Sequence, residues 1–275
     1  MNTPRPLHPG MRGLLYVASA FVLIAGLPLY VLSADTATWF AWTIDPPLTA
    51  ATLGACYWAA GLLEFLGARA RNWADARVAV PGVLAFTALT NLPTLQNMDS
   101  YHLDRVQAWV WIGTYLIVPP LMLILLRLQY KLPGGDPPRS APLQPFLRLG
   151  LGLLALGFLV YGLALMLVPS DAGALWPWAL NPANATYKRF TEPYLGAWLL
   201  GLGLVAAQGA WEADHMRLRP VFPAMALLGL LQAGALLRYG SVLDTSRPSA
   251  WIYLGTLLFL MVLGTVGIAL RPRQS

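Results

Sequence analysis

Along the chain, apolar stretches of about 20 residues alternate with short polar or Pro/Gly-bearing stretches. The apolar runs lie near 12–33, 49–68, 78–97, 107–128, 147–169, 193–211, 220–238 and 249–270. A bilayer core about 30 Å thick needs roughly 20 predominantly apolar helical residues to cross it, so each run predicts a membrane-spanning helix. No series of alternating ten-residue strands is present, and only helices or closed barrels satisfy their backbone in lipid. The expected fold class is all-α, a polytopic integral membrane protein with eight transmembrane helices. The first run follows Arg5 and Arg12 and ends in Leu-Ser-Ala, as a secretory signal would. It is longer than the usual signal core of about 7–15 residues and has a counterpart in mid-chain, so it is read as a helix.

That counterpart belongs to a repeat. Displaced by 136 positions, Gly26-Leu27 falls on Gly162-Leu163, Asp35 on Asp171, and Phe40-Ala-Trp42 on Trp176-Pro-Trp178. After a short insertion, Leu53-Gly-Ala55 falls on Leu195-Gly-Ala197, and Arg77, Pro81 and Arg105 fall on Arg219, Pro223 and Arg247. Ala108-Trp109 and Gly113-Thr114 meet Ala250-Trp251 and Gly255-Thr256 in the same register. Shared hydrophobicity would align Leu and Ala, but not Trp, Arg, Pro and Gly. The expected organisation is two tandem four-helix units, 12–128 and 147–271. A Pro/Gly-rich linker at 129–146 joins them, with tails at 1–11 and 272–275. An even number of helices per unit makes the repeat parallel. Gly54, Gly61 and Gly67 and their counterparts Gly196, Gly203 and Gly209 predict close helix packing, a main source of association in lipid.

Composition sharpens this picture. Of 275 residues, 57% are hydrophobic and 11% charged. Soluble domains carry about 25% charged residues, which excludes an ordinary soluble enzyme or a disordered chain. The net charge of +6 is read as membrane topology rather than as a nucleic-acid footprint. With the N-terminus in the cytoplasm, about 13 of the 18 basic residues fall inside, among them Arg69, Arg71, Arg77 and Arg217. Arg105, Lys188, Arg189, Arg238 and Arg247 fall outside. Both termini are therefore expected in the cytoplasm. The lone Cys56 excludes an intrachain disulfide and a Cys-based metal centre.

Candidate chemistry is sparse. Thr87, Thr90, Asn91 and Thr94 share one face of the third predicted helix, a polar stripe expected to face the bundle interior. It is a candidate ligand- or path-lining face, and Gln232 is its one polar counterpart in the second half. Glu64, the acid inside a span and a further candidate ligand- or path-lining residue, lies about one turn from its inner end, within reach of Arg69 and Arg71. Snorkelling or pairing is its expected role, and a proton-coupled site is the alternative. Trp39, Trp42, Trp109, Trp176, Trp178 and Trp251 fall at or just beyond outer helix ends and are expected to form an aromatic interface belt. His8, His102 and His215 lie in tails or loops, so neither an intramembrane haem nor a metal site is expected. Asn184-Ala-Thr186 matches a glycosylation acceptor sequence in an outer loop. No Ser–His–Asp order, HExxH or P-loop is present, and no paired acid and base converge, so no catalytic residue and no cofactor are assigned.

Trp176-Pro-Trp178, the following Leu-Asn-Pro182 and Leu195-Gly-Ala-Trp198 together resemble a signature in bacterial multi-pass membrane proteins of no assigned activity. The resemblance implies a bacterial-type inner-membrane location and no catalytic role. The first unit departs from it, with Phe40-Ala-Trp42 and Cys56 where the signature has Trp. Residues 183–192 also stretch the usual Trp-to-Gly spacing. The expected function is non-enzymatic: binding a lipid-like or other apolar ligand within the bilayer, or serving another membrane protein as an accessory subunit. The alternative is a small transporter or channel with its path along the third helix.

Overall fold

The computed structural model describes residues 3–180 and 185–270, apart from the side chains of 185–190. Among the described residues the chain is all-helical, with no β-strand. The eight long helices are α1 (Pro9–Tyr30), α2 (Pro47–Ala68), α3 (Val80–Gln96), α4 (Val106–Lys131), α5 (Pro145–Leu167), α6 (Ala185–Glu212), α7 (Val221–Tyr239) and α8 (Pro248–Ala269). Each overlaps one predicted apolar run, with α6 starting about two turns ahead of its run. Seven of them are long and apolar enough to cross a membrane. The exception is α3, with 17 residues. At 1.5 Å per residue it reaches about 26 Å, the lower end of what a bilayer core demands.

Proline sets several of the starts. It occupies one of the first two positions of α1, α2, α3, α5 and α8, where its missing N–H costs nothing and its fixed φ suits a helix. In α1 the His8 ring also caps the helix, its Nδ1 accepting from the Gly10 N–H at 3.1 Å. These signals draw α1 and α5 a turn or less ahead of their apolar runs.

The packing pairs α1 with α2 and α5 with α6, each along much of its length. In contrast, α3 packs on α6 and α7 packs on α2, so each of these helices crosses to a partner distant in sequence. Small residues set the approach. A Cβ added to Gly82 of α3 would lie 2.6 Å from the Gly201 carbonyl oxygen of α6. One added to Gly162 of α5 would lie 2.9 Å from that of Gly196. Backbone contact this close excludes any side chain at either position.

Straps hold both ends of the bundle. At one end the Leu7 N–H donates to the Arg71 carbonyl and the Trp73 N–H to that of Arg5. Leu143 to Ala213 and His215 to Ala141 form the same arrangement beside them. At the opposite end the His102 N–H donates to the Ala41 carbonyl and the Asp244 N–H to that of Pro177. The indole N–H groups of Trp109 and Trp251 donate to the Leu103 and Thr245 carbonyls at 2.9 and 3.1 Å. Arg77, just ahead of α3, fixes the first end further by gripping both oxygens of Glu212 at 2.5 and 2.9 Å and Asp136 at 2.6 Å. Arg217 donates to the same Glu212 at 2.7 Å. Glu212 is fully buried, and two guanidiniums meet its charge.

A candidate ligand cavity between α1 and α4

The helices enclose a cavity of about 310 Å³. Near its end of the bundle, α1 touches α4, where Met11, Leu15, Met122 and Leu125 share a small apolar cluster. Farther along, the two helices stand apart. Val17 and Phe21 of α1 and Ile117 and Leu121 of α4 edge the gap, and all four are exposed on the outer surface. From this mouth the cavity runs inward to Leu63 of α2, Val83 and Phe86 of α3, Trp198 and Val205 of α6, and Met225 and Leu228 of α7. Its walls therefore come from both halves of the chain. Several are positions that correspond in the sequence alignment of those halves: Leu63 with Val205, Val83 with Met225, and Phe86 with Leu228.

The walls are apolar almost throughout, and most of their polar groups are already engaged. The Thr87 hydroxyl donates to the Val83 carbonyl at 2.8 Å and that of Thr114 to Val110 at 2.7 Å. The Tyr115 hydroxyl meets that of Tyr57 at 2.7 Å. Glu64 differs. It lines the cavity at 2% exposure, its Oε2 has no hydrogen-bond partner, and it forms no ion pair among the described residues. The expected pairing with Arg69 and Arg71 is thus not made. Arg69 is turned over the Phe65 ring, 5.8 Å from its centroid, and Arg71 is exposed. The carboxyl faces the bundle interior, whereas the end of α2 turns its arginines outward.

The α3 stripe does face inward, as its spacing predicts: Thr87, Thr90 and Thr94 are buried and Asn91 is half-buried. Its groups, however, mostly serve the helices themselves. Asn91 donates to the Tyr115 carbonyl of α4 at 2.5 Å. Pro119 lacks the N–H that would have bonded that carbonyl within α4, so Asn91 replaces the missing donor. Thr94 bonds the Thr90 carbonyl at 2.7 Å and the Tyr194 hydroxyl at 2.9 Å. Only Thr87 of the four lines the cavity. Gln232 lies elsewhere, bonded to the Thr52 carbonyl at 3.2 Å and to the Tyr253 hydroxyl at 2.8 Å.

No known protein family, curated protein or solved structure matches the chain.

The six tryptophans assigned to an outer belt divide. Trp39, Trp109 and Trp251 are exposed, whereas Trp42, Trp176 and Trp178 are buried at 2%, 6% and 0%. The connecting segments fold back into the bundle mouth and bring their rings with them. Trp42 stacks on Tyr194 at 5.2 Å and meets Trp111 edge-on at 4.6 Å, and Trp178 donates to the Thr49 hydroxyl at 2.9 Å. Sequence reasoning missed this aromatic cluster, which also gathers the hydroxyls of Tyr101 and Tyr194 around Thr94. It missed the buried Glu192, about two turns into α6, as well. Asn184 lies outside the described residues, and the side chains of Lys188 and Arg189 do too.

The site can enclose an apolar body and offer it one polar contact. Glu64 is the one carboxyl group among the described residues that line it.

Proposed function

We propose that this chain is a non-enzymatic, multi-pass integral membrane protein that holds a lipid-like ligand in the cavity between α1 and α4. The observation that carries the reading is the cavity itself: apolar, buried within the bundle, and open sideways through Val17, Phe21, Ile117 and Leu121. In a membrane that mouth faces acyl chains, so an apolar ligand enters without crossing water. A volume of about 310 Å³ falls at the small end of ligand pockets. Binding to another membrane protein lacks comparable support.

The same reading takes α3 as an eighth span, both termini as cytoplasmic and the chain as two tandem four-helix units. The duplicated straps support the units: Leu7–Arg71 matches Leu143–Ala213, and His102–Ala41 matches Asp244–Pro177, at aligned positions. So does the exchange by which α3 packs on α6 while α7 packs on α2. The cavity then sits where the units meet. A polar transport path along α3 is disfavoured, since Thr87, Asn91 and Thr94 spend their polar groups on helix carbonyls.

Photolabelling tests the proposal. A long-chain alcohol with a diazirine near its chain end, incorporated in nanodiscs with the protein, should label inward-facing Phe86 and Trp198. Labelling confined to outward-facing residues such as Ile124 and Leu153 would refute it.

A further inference from the structure

Resting on that reading, we infer that the ligand's head is a cationic amine held by the Glu64 carboxylate. Glu64 is 2% exposed and lines the cavity, and its Oε2 meets no donor from the protein. A carboxylate among apolar walls is costly unless a positive charge or hydrogen-bond donors approach it. The basic side chains nearest it in sequence or along α1 are engaged elsewhere. Arg69 lies over Phe65, and Arg12 donates to the Ala70 carbonyl at 3.2 Å. The balancing cation therefore comes with the ligand.

The rest of the wall suits such a head and its chain. Phe21, Phe86, Phe158 and Trp198 line the cavity, and aromatic faces attract a desolvated ammonium as well as an alkyl group. Glu64 is a single acid, and the corresponding position in the second half is Ala206, which lines the same cavity. One anionic contact in an otherwise apolar space fits one charge on one apolar body. A phosphate-bearing lipid head would bring negative charge against Glu64 and is excluded by the same chemistry. The class is thus a lipophilic amine: an ammonium group carrying a single chain or a compact ring system.

The test compares tetradecylamine with tetradecanol, which share a chain and differ at the head. Wild type, Glu64→Gln and Gly113→Phe are purified in detergent and titrated near pH 7.4, with retention read by native mass spectrometry. Gly113 lines the cavity, and a Cβ there meets no atom within 4 Å, so phenylalanine should fill space rather than break the fold. Wild type should retain one amine per chain at roughly a tenth of the concentration needed for the alcohol, the size of one charge-assisted hydrogen bond. Glu64→Gln should bring the two ligands within about twofold of each other while still retaining the alcohol, which also reports that the variant is folded.

Equal retention of amine and alcohol by wild type, or an amine preference that survives Glu64→Gln, overturns the inference. If wild type holds both alike and Gly113→Phe releases both, the apolar cavity stands as the binding site and only the amine head fails. If wild type retains neither ligand better than Gly113→Phe does, the binding reading fails with it.

Discussion

Pro119 removes an amide N–H from α4, and the carbonyl it leaves, that of Tyr115, accepts from Asn91 of α3 at 2.5 Å. Removing the donor from such a buried acceptor costs about 1–3 kcal/mol. Asn91→Leu should lower stability by that amount, measured by denaturant unfolding in mixed micelles. Pro119→Ala in the same protein restores a helical donor, so the Asn91→Leu cost should shrink; an undiminished cost would separate Asn91 from the proline. His215 is a second residue-scale case. Burial holds its imidazole below the usual range, with Asp214 pulling the other way more weakly. A base whose folded value is depressed contributes stability that is intact above its unfolded pKa of about 6.5 and lost as pH falls through the folded value. Thermal scans should therefore show a larger loss between pH 7.5 and 5.5 for wild type than for His215→Gln. Equal losses would mean that other groups govern that range.

Between helices, the crossing of α3 over α6 rests on Gly82 meeting Gly201. Gly82→Leu should prevent the crossing and leave little monodisperse protein on size exclusion, whereas Gly113→Leu, with open space at its Cβ, should elute as wild type. Equivalent elution of the two would show that the crossing does not depend on close backbone approach. The helices themselves were legible in the sequence because a long apolar run must satisfy its own backbone, and helix is the local way to do so. Their starts were legible where proline marks them. The tryptophans read less well. Position near a helix end predicts an interface ring, but Trp42 and Trp178 sit on connections that fold inward, where aromatic partners from distant helices receive them. Periodicity likewise put Asn91 on an inward face without naming Tyr115 as its partner, because that contact depends on how α3 and α4 meet.

At the scale of the molecule, the paired straps join positions that align between the two halves of the sequence, whereas the cavity was not legible at all. It is a gap among helices far apart in sequence, and no local pattern marks where α1 and α4 part. Glu64 was legible as an acid within a span, yet its nearness to Arg69 and Arg71 along the chain suggested the wrong partners. The most direct measurement of the central claim is native mass spectrometry of wild type and Gly113→Phe, each released gently from the membrane in which it was made. The account predicts one small lipid-like molecule per wild-type chain and its loss from Gly113→Phe, which should still elute as a monodisperse protein. Equal retention by both proteins, or no discrete small molecule on wild type, would contradict it.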